Sequence, residues 1–156
     1  MNIRKLDIRT LTSWQFEQIV SIEENCGLEP YSREMLLECI EDLDTYACLD
    51  GDTVAGFITI QPASRRSGGG VYIVNLNVAK AYRRQGLAQK LIRSACGAYE
   101  KSHRGSFVIL DVAKTNTAAR RLYEKLGFRL TDIPSGNGDT DVVMMARLER
   151  LCAPDV

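Results

Sequence analysis

Val71-Tyr72-Ile73-Val74-Asn75-Leu76-Asn77-Val78 and, after four intervening residues, Arg83-Arg84-Gln85-Gly86-Leu87-Ala88 decide how this chain folds. The first segment alternates. Tyr72, Val74, Leu76 and Val78 fall on one face, with Val71, Ile73, Asn75 and Asn77 on the other, so it predicts a β-strand. From Leu87 onward the period changes. Leu87, Ala88, Leu91, Ile92, Ala95, Cys96 and Tyr99 recur at helical spacing and predict a helix over 87–99. Between strand and helix lies a basic turn containing Gly86. Glycine lets the backbone approach a ligand closely, the first N–H groups of a helix have no intrahelical partner, and two arginines add fixed positive charge. The expected ligand is a phosphate. Neither the dinucleotide pattern G-x-G-x-x-G nor the P-loop pattern ending in G-K-S/T occurs in the chain, which removes those two phosphate sites.

Working outward, Ile3 to Ile8 alternates as a first strand. Thr12 and Gln15 have capping-box spacing ahead of a helix from Ser13 to Asn25. Gly27 and Pro30 break that helix, and Ser32 caps a second one carrying Met35, Leu36, Cys39, Ile40 and Leu43. Tyr46 to Leu49 and Val54 to Gln61 flank Asp50-Gly51-Asp52, a hairpin turn. Pro62 to Gly70, with Gly68-Gly69-Gly70, reads as a mobile connection. Phe107 to Val112 is an apolar run interrupted only by Asp111, as expected of a central strand. Asn116 can cap a helix bearing Ala119, Leu122, Tyr123 and Leu126, with Gly127 as its stop. Phe128 to Ile133 and Asp141 to Leu148 form a final strand pair around Pro134 to Asp139. Locally paired strands at both ends and crossover helices in the middle imply an α/β fold with a mixed sheet.

The 156 residues fit one domain, 1–156, and the hydrophobic share of 45% supplies an adequate core. No apolar run is long enough to span a membrane and no signal-peptide core follows Met1, so a cytoplasmic protein with no membrane partner is expected. Five scattered cysteines, Cys26, Cys39, Cys48, Cys96 and Cys152, lack metal-ligand and C-x-x-C spacing. Reduced thiols and no metal are expected. The formal net charge is zero but unevenly spread. Ser21 to Asp52 holds ten acidic residues against Arg33 alone, whereas Ala79 to Arg129 holds twelve basic residues against three acidic ones. One region suits a cation and the other an anion, unless both are solvated helix faces. No basic stripe with interleaved aromatics appears, so no nucleic-acid partner is expected.

Arg83 to Ala88, read as R-x-x-G-x-A, resembles the acetyl-CoA pyrophosphate loop of the GCN5-related N-acetyltransferases (GNAT), in which Q or R opens the pattern and G or A closes it. A second match follows in order. Asn116 to Phe128 carries every fixed position of the pattern N-x-x-A-x-x-L-Y-x-x-x-G-F that family members often show. The resemblance covers roughly residues 3 to 148. It implies the GNAT fold, a twisted mixed sheet of about six to seven strands flanked by about four helices. It also implies acetyl-CoA as cosubstrate, held by Arg83, Arg84, Gln85, Gly86, Leu87 and Ala88 at the pyrophosphate and by Asn116. In the family the strand before the loop splays from its parallel neighbour and the pantetheine arm lies against it like an added strand. Leu76, Asn77 and Val78 would pair with pantetheine amides, with the Val78 N–H facing the thioester oxygen.

The resemblance assigns catalytic roles to two side chains. Tyr123 matches the family's acid tyrosine. A phenol with a pKa of about 10 is a weak base at neutral pH but can hydrogen-bond or protonate a departing thiolate. Asp111 occupies the position at which ribosomal-protein N-terminal alanine acetyltransferases carry a glutamate regarded as a base acting through water. Aspartate is one methylene shorter, and a hydrogen-bonded carboxylate that steadies a loop is the competing reading. Glu23 and Glu24 are alternative bases. His103, the single histidine, is read as a surface residue. The expected reaction is direct attack of a primary amine on bound acetyl-CoA in a ternary complex. The acceptor is either a protein N-terminus or a small cationic amine, and the protein a monomer or homodimer. Ile133-Pro134-Ser135-Gly136-Asn137 lacks the tyrosine-rich stretch of the peptide-directed enzymes. A non-catalytic acyl-CoA-binding or regulatory module of the same fold is the alternative.

Overall fold

A computed structural model describes residues 1–26, 29–65, 68–103 and 105–152. Among these residues seven strands form one mixed sheet in the order β1-β2-β3-β4-β5-β7-β6. Its parallel ladder joins Gly70, Val71 and Tyr72 of β4 (Gly68–Val78) to Phe107, Val108 and Ile109 of β5 (Phe107–Ala113). The chain resolves into two compact units, Met1–Gln61 with Val74–Ala95, and Pro62–Ile73 with Cys96–Val156.

In the first unit, β1 (Asn2–Lys5) pairs antiparallel with β2 (Asp44–Asp50), and β2 pairs with β3 (Thr53–Arg65). Helix α1 (Ser13–Glu24) starts with the expected capping box: Gln15 N–H donates to Thr12 Oγ1 at 3.1 Å, and Thr12 N–H donates to Gln15 Oε1 at 3.2 Å. Helix α2 (Arg33–Asp42) begins where Ser32 Oγ accepts from Met35 N–H. Their apolar faces meet β2 and β3 in a core that includes Phe16, Ile19, Leu36, Ile40, Ala47 and Phe57. β1 is shorter than its alternating pattern suggests. Asp7 turns the chain instead, its carboxylate accepting Arg9 N–H at 2.9 Å and its carbonyl accepting from Leu11 N–H. Gly27, the expected helix breaker, lies outside the described residues.

The second unit contains β5, α4 (Thr117–Leu126), β6 (Arg129–Leu130), β7 (Asp141–Arg147) and α5 (Leu148–Cys152). Asn116 Oδ1 accepts Ala119 N–H at 3.2 Å and Gly127 closes α4 at φ 104°, so both expected caps are present. Three expectations change. Pro62 to Gly70 is mostly strand, because β3 runs to Arg65 and β4 begins at Gly68; residues 66–67 lie outside the described residues. Proline's fixed φ fits extended backbone and gives up only one donor. β6 stops after Leu130, since Thr131 Oγ1 donates to Val143 O while accepting Ile133 N–H, which bends the chain away. Leu148, read as the end of a strand, instead begins α5.

Gly70 sits where β4 and β5 press together. A Cβ there would collide with the Phe107 carbonyl and lie 2.6 Å from its ring. Gly70→Ala is expected to destabilise the protein by about 3 kcal/mol through overpacking. A urea denaturation midpoint indistinguishable from that of the native chain would contradict this.

Candidate functional site

The predicted residues divide between the two units. The first holds the residues expected to bind the donor, apart from Asn116. Leu76, Asn77 and Val78 are half-buried at the end of β4, which leads through a single 3₁₀ turn (Lys80–Tyr82) into helix α3 (Leu87–Ser102). That turn is fastened to the β2–β3 hairpin by Tyr82 Oη, which donates to Asp50 Oδ2 at 2.9 Å. The connecting loop contains two residues of left-handed backbone, Arg84 at φ 64° and Gly86 at φ 75°. Left-handed backbone costs a non-glycine residue about 1–2 kcal/mol, so Arg84 marks local strain of a kind concentrated at ligand-binding turns. Gly86 O accepts Lys90 N–H, placing Gly86 at the start of α3. Leu87 is buried and anchors the helix, whereas Arg84, Gln85 and Gly86 face solvent. An exposed turn with positive charge, strain and a helix N-terminus is suited to a phosphate.

Arg83 has contacts of its own. Its Nε donates to Val78 O at 3.2 Å and its Nη2 to Asn25 O at 3.4 Å, so its guanidinium is engaged with backbone carbonyls. Glu23 is enclosed. It is only 2% exposed, and its carboxylate accepts Asn75 Nδ2 at 2.7 Å, Asn77 Nδ2 at 2.8 Å and Tyr31 N–H at 2.9 Å. Glu24 is exposed on the same helix. The acidic surplus from Ser21 to Asp52 is therefore partly consumed internally, by these bonds, by Tyr82 at Asp50 and by the ion pair of Asp44 with Lys5.

The second unit holds Asp111, Asn116 and Tyr123. Asp111 accepts from two hydroxyls, Tyr72 Oη at Oδ2 and Ser135 Oγ at Oδ1, the latter at 2.8 Å. Ser135 Oγ in turn accepts Asn137 N–H, so the carboxylate is tied to the loop between β6 and β7. Neither hydroxyl was evident as a partner from sequence; the only hint was that a carboxylate within an apolar strand requires donors. Tyr123 lies on α4 with its ring tilted against Phe128, centroids 5.6 Å apart. Its hydroxyl has no protein partner among the described residues. Desolvation pushes its pKa up to about 12, so the phenol remains protonated across neutral and mildly alkaline pH. It can donate a hydrogen bond but cannot serve as a base there. Asn116 spends its Oδ1 on the helix cap. His103 is exposed and stacks on Tyr99, with centroids 4.5 Å apart.

Among the described residues, no group of three or more His, Cys, Asp or Glu could hold a metal ion, and no helix is long and apolar enough to cross a membrane. Cys39, Cys48 and Cys96 are buried free thiols.

The profile of the Acetyltransferase (GNAT) family matches residues 11–128, which run through both units. The N-terminal acetyltransferase A complex catalytic subunit NAA10 of Arabidopsis thaliana is 27% identical over 137 residues, 84% of this chain and 68% of that protein. The ribosomal protein bS18 alanine N-acetyltransferase of Haemophilus ducreyi is 28% identical over 148 residues, 88% of this chain and 97% of that protein. Among solved structures, the NatC complex bound to Gag peptide and CoA contains a chain that superposes with a TM-score of 0.75 at 26% identity, covering 94% of this chain and 97% of that one.

Proposed function

We propose, since this chain belongs to the acetyltransferase (GNAT) family and is an N-acetyltransferase, that it transfers the acetyl group of acetyl-CoA to the α-amine of a protein N-terminus. The observation that carries the donor assignment is the loop from Arg83 to Ala88, where the strained Arg84, the left-handed Gly86 and the start of α3 follow directly on β4. Arg84 and the first N–H groups of α3 would bind the pyrophosphate. The backbone of Leu76–Val78 would pair with the pantetheine amides, and the parallel ladder to β5 ending at Tyr72 is compatible with that role. The Asn116 amide nitrogen has no protein acceptor among the described residues and is available to the donor.

In the proposed reaction the amine nitrogen attacks the thioester carbonyl. A C–N bond forms, the C–S bond breaks, and the Val78 N–H steadies the oxyanion. Asp111 would accept the amine proton through water, with Tyr72 holding the carboxylate in place. Tyr123 would meet the departing thiolate. Because its pKa is near 12 and that of an ordinary thiol is about 8.5, its contribution is a hydrogen bond to the thiolate rather than full proton transfer. A second reading has a specific basis: both Asp111 oxygens are occupied, as they would be if the carboxylate only steadied the Ser135 loop.

The N-terminal acceptor follows the relatives, and it can be tested against the small cationic amine. A panel of short peptides with free and blocked N-termini, polyamines, aminoglycosides and amino acids, assayed for thiol release, should show turnover with free peptides only. Turnover confined to polyamines or aminoglycosides would contradict the assignment.

The loop yields a separable prediction. Arg84→Gly should relieve left-handed strain, raising stability by about 1 kcal/mol, while weakening the donor. Gly86→Glu should introduce both strain and a negative charge, raising the KM for acetyl-CoA about tenfold or more and leaving that for the amine nearly unchanged. Equal changes in both KM values would remove the loop from donor binding.

A further inference from the structure

We propose that Glu23 is a positioning residue for the donor strand, fixing Asn75 and Asn77 and through them the backbone from Leu76 to Val78, while Arg83 fastens the end of that strand. The proposal rests on the reading of β4 as the strand that holds the acyl donor.

A buried carboxylate is costly unless hydrogen bonds compensate its lost hydration, and Glu23 receives three, at 2.7, 2.8 and 2.9 Å. Two donors are side-chain amides on β4, at positions 75 and 77. Residues two apart project from the same face of a strand, so the carboxylate grips Leu76 from both sides in sequence. Asn77 Nδ2 also donates to Asn75 Oδ1 at 3.1 Å, linking the amides to each other. An apolar pair would fill this face without the desolvation cost, and hydrogen-bonded polar groups define one geometry where apolar packing tolerates several. The third donor, Tyr31 N–H, connects the segment beyond α1, and Tyr31 Oη reaches Val74 O at 3.3 Å.

The last residue of the strand is held separately. Arg83 Nε donates to Val78 O, and Nη2 reaches Asn25 O at the C-cap of α1. On the β3 side, Ala79 N–H donates to Ala55 O at 2.8 Å, and a Cβ on Gly56 would lie 3.0 Å from Asn77 O. The segment from Asn75 to Ala79 is thus restrained from α1, from β3 and from its own phosphate loop. Two roles change as a result. Glu23, its oxygens committed to N–H groups, is removed from the candidate bases, and Arg83 is moved from phosphate ligand to backbone fastener.

The decisive comparison uses acetyl-CoA and acetyl-pantetheine, which share the thioester and differ in the pyrophosphate. Asn75 and Asn77 share Glu23 Oε1 and Tyr31 N–H takes Oε2, so glutamine leaves either Tyr31 N–H or both side-chain amides without an acceptor in a buried site; Glu23→Gln is expected to lower kcat/KM about tenfold to a hundredfold with both donors by a similar factor. Arg83→Gln should lower both equally and by less, since its bonds are exposed. Arg84→Gln should affect acetyl-CoA alone. Should Glu23→Gln fail to fold, Asn77→Ala carries the same comparison. A loss confined to acetyl-CoA in Arg83→Gln, or unchanged turnover of both donors in folded Glu23→Gln, overturns the proposal. Amide hydrogen exchange in the unliganded protein gives an answer independent of turnover. Faster exchange at Leu76–Val78 in Glu23→Gln, with β7 unchanged, supports positioning even if the native chain acetylates nothing, and unchanged exchange there overturns it.

Discussion

Tyr123→Phe should lose about a hundredfold in kcat while keeping its KM for acetyl-CoA and its stability. The Tyr123 hydroxyl has no protein partner among the described residues, so its removal orphans no donor or acceptor. The ring contact with Phe128 survives in phenylalanine. A purely structural tyrosine would behave differently, because deleting a bonded buried hydroxyl lowers stability and affects turnover only indirectly. The pH dependence follows from the direction of the shift. Folding raises the Tyr123 pKa from 10.0 to about 12, so the folded state binds this proton more tightly than the unfolded state. The associated stability is complete below pH 10 and is lost as pH rises from 10 to about 12. Denaturation midpoints of the native chain should carry that component over this interval, and those of Tyr123→Phe should lack it. Tyr123 should likewise impose no alkaline limb on kcat below pH 10. Unchanged kcat in Tyr123→Phe would remove Tyr123 from the chemistry.

Asp111→Asn should have the next largest effect, about a hundredfold or more in kcat. Asparagine has nearly the shape of aspartate, and its oxygen can still accept one of the hydroxyls from Tyr72 and Ser135. Fold and loop should therefore persist, so the loss would report proton transfer. Near-native turnover would favour the loop-steadying role. Asp111→Ala is less informative, since it strands both hydroxyls and costs about 1–3 kcal/mol of stability besides.

Features written locally in the chain were legible. Thr12 with Gln15, Asn116 with Ala119, and Gly127 each satisfy backbone groups within four residues, and each cap occurs where its residue type requires it. The β2–β3 hairpin and the strand-loop-helix centred on Gly86 have the same local character. Non-local features were not legible. Strand propensity around Pro62 is poor, yet β3 continues through it to Arg65 with β4 as its neighbour in the sheet. Asp111 meets Tyr72 across 39 positions, and Glu23 meets Asn77 across 54, distances over which residue type alone cannot select a partner. Two asparagines on an otherwise apolar strand face, following Val71 and Ile73, were the available clue to Glu23. Residue type alone likewise gives Arg83 and Arg84 the same expected role at the phosphate. Arg83 and Arg84 are adjacent and chemically identical, and only the backbone, left-handed at Arg84, separates their surroundings.

Acetyl transfer from a coenzyme A thioester to a free α-amine can be read in a single reaction by mass spectrometry. The protein is incubated with acetyl-CoA and a peptide library with free N-termini, and both released CoA and peptide masses are recorded. The expected result is one acetyl group on the peptide α-amine for each CoA released, with none on N-terminally blocked peptides. CoA release without peptide modification, or acetylation confined to lysine side chains, would contradict it.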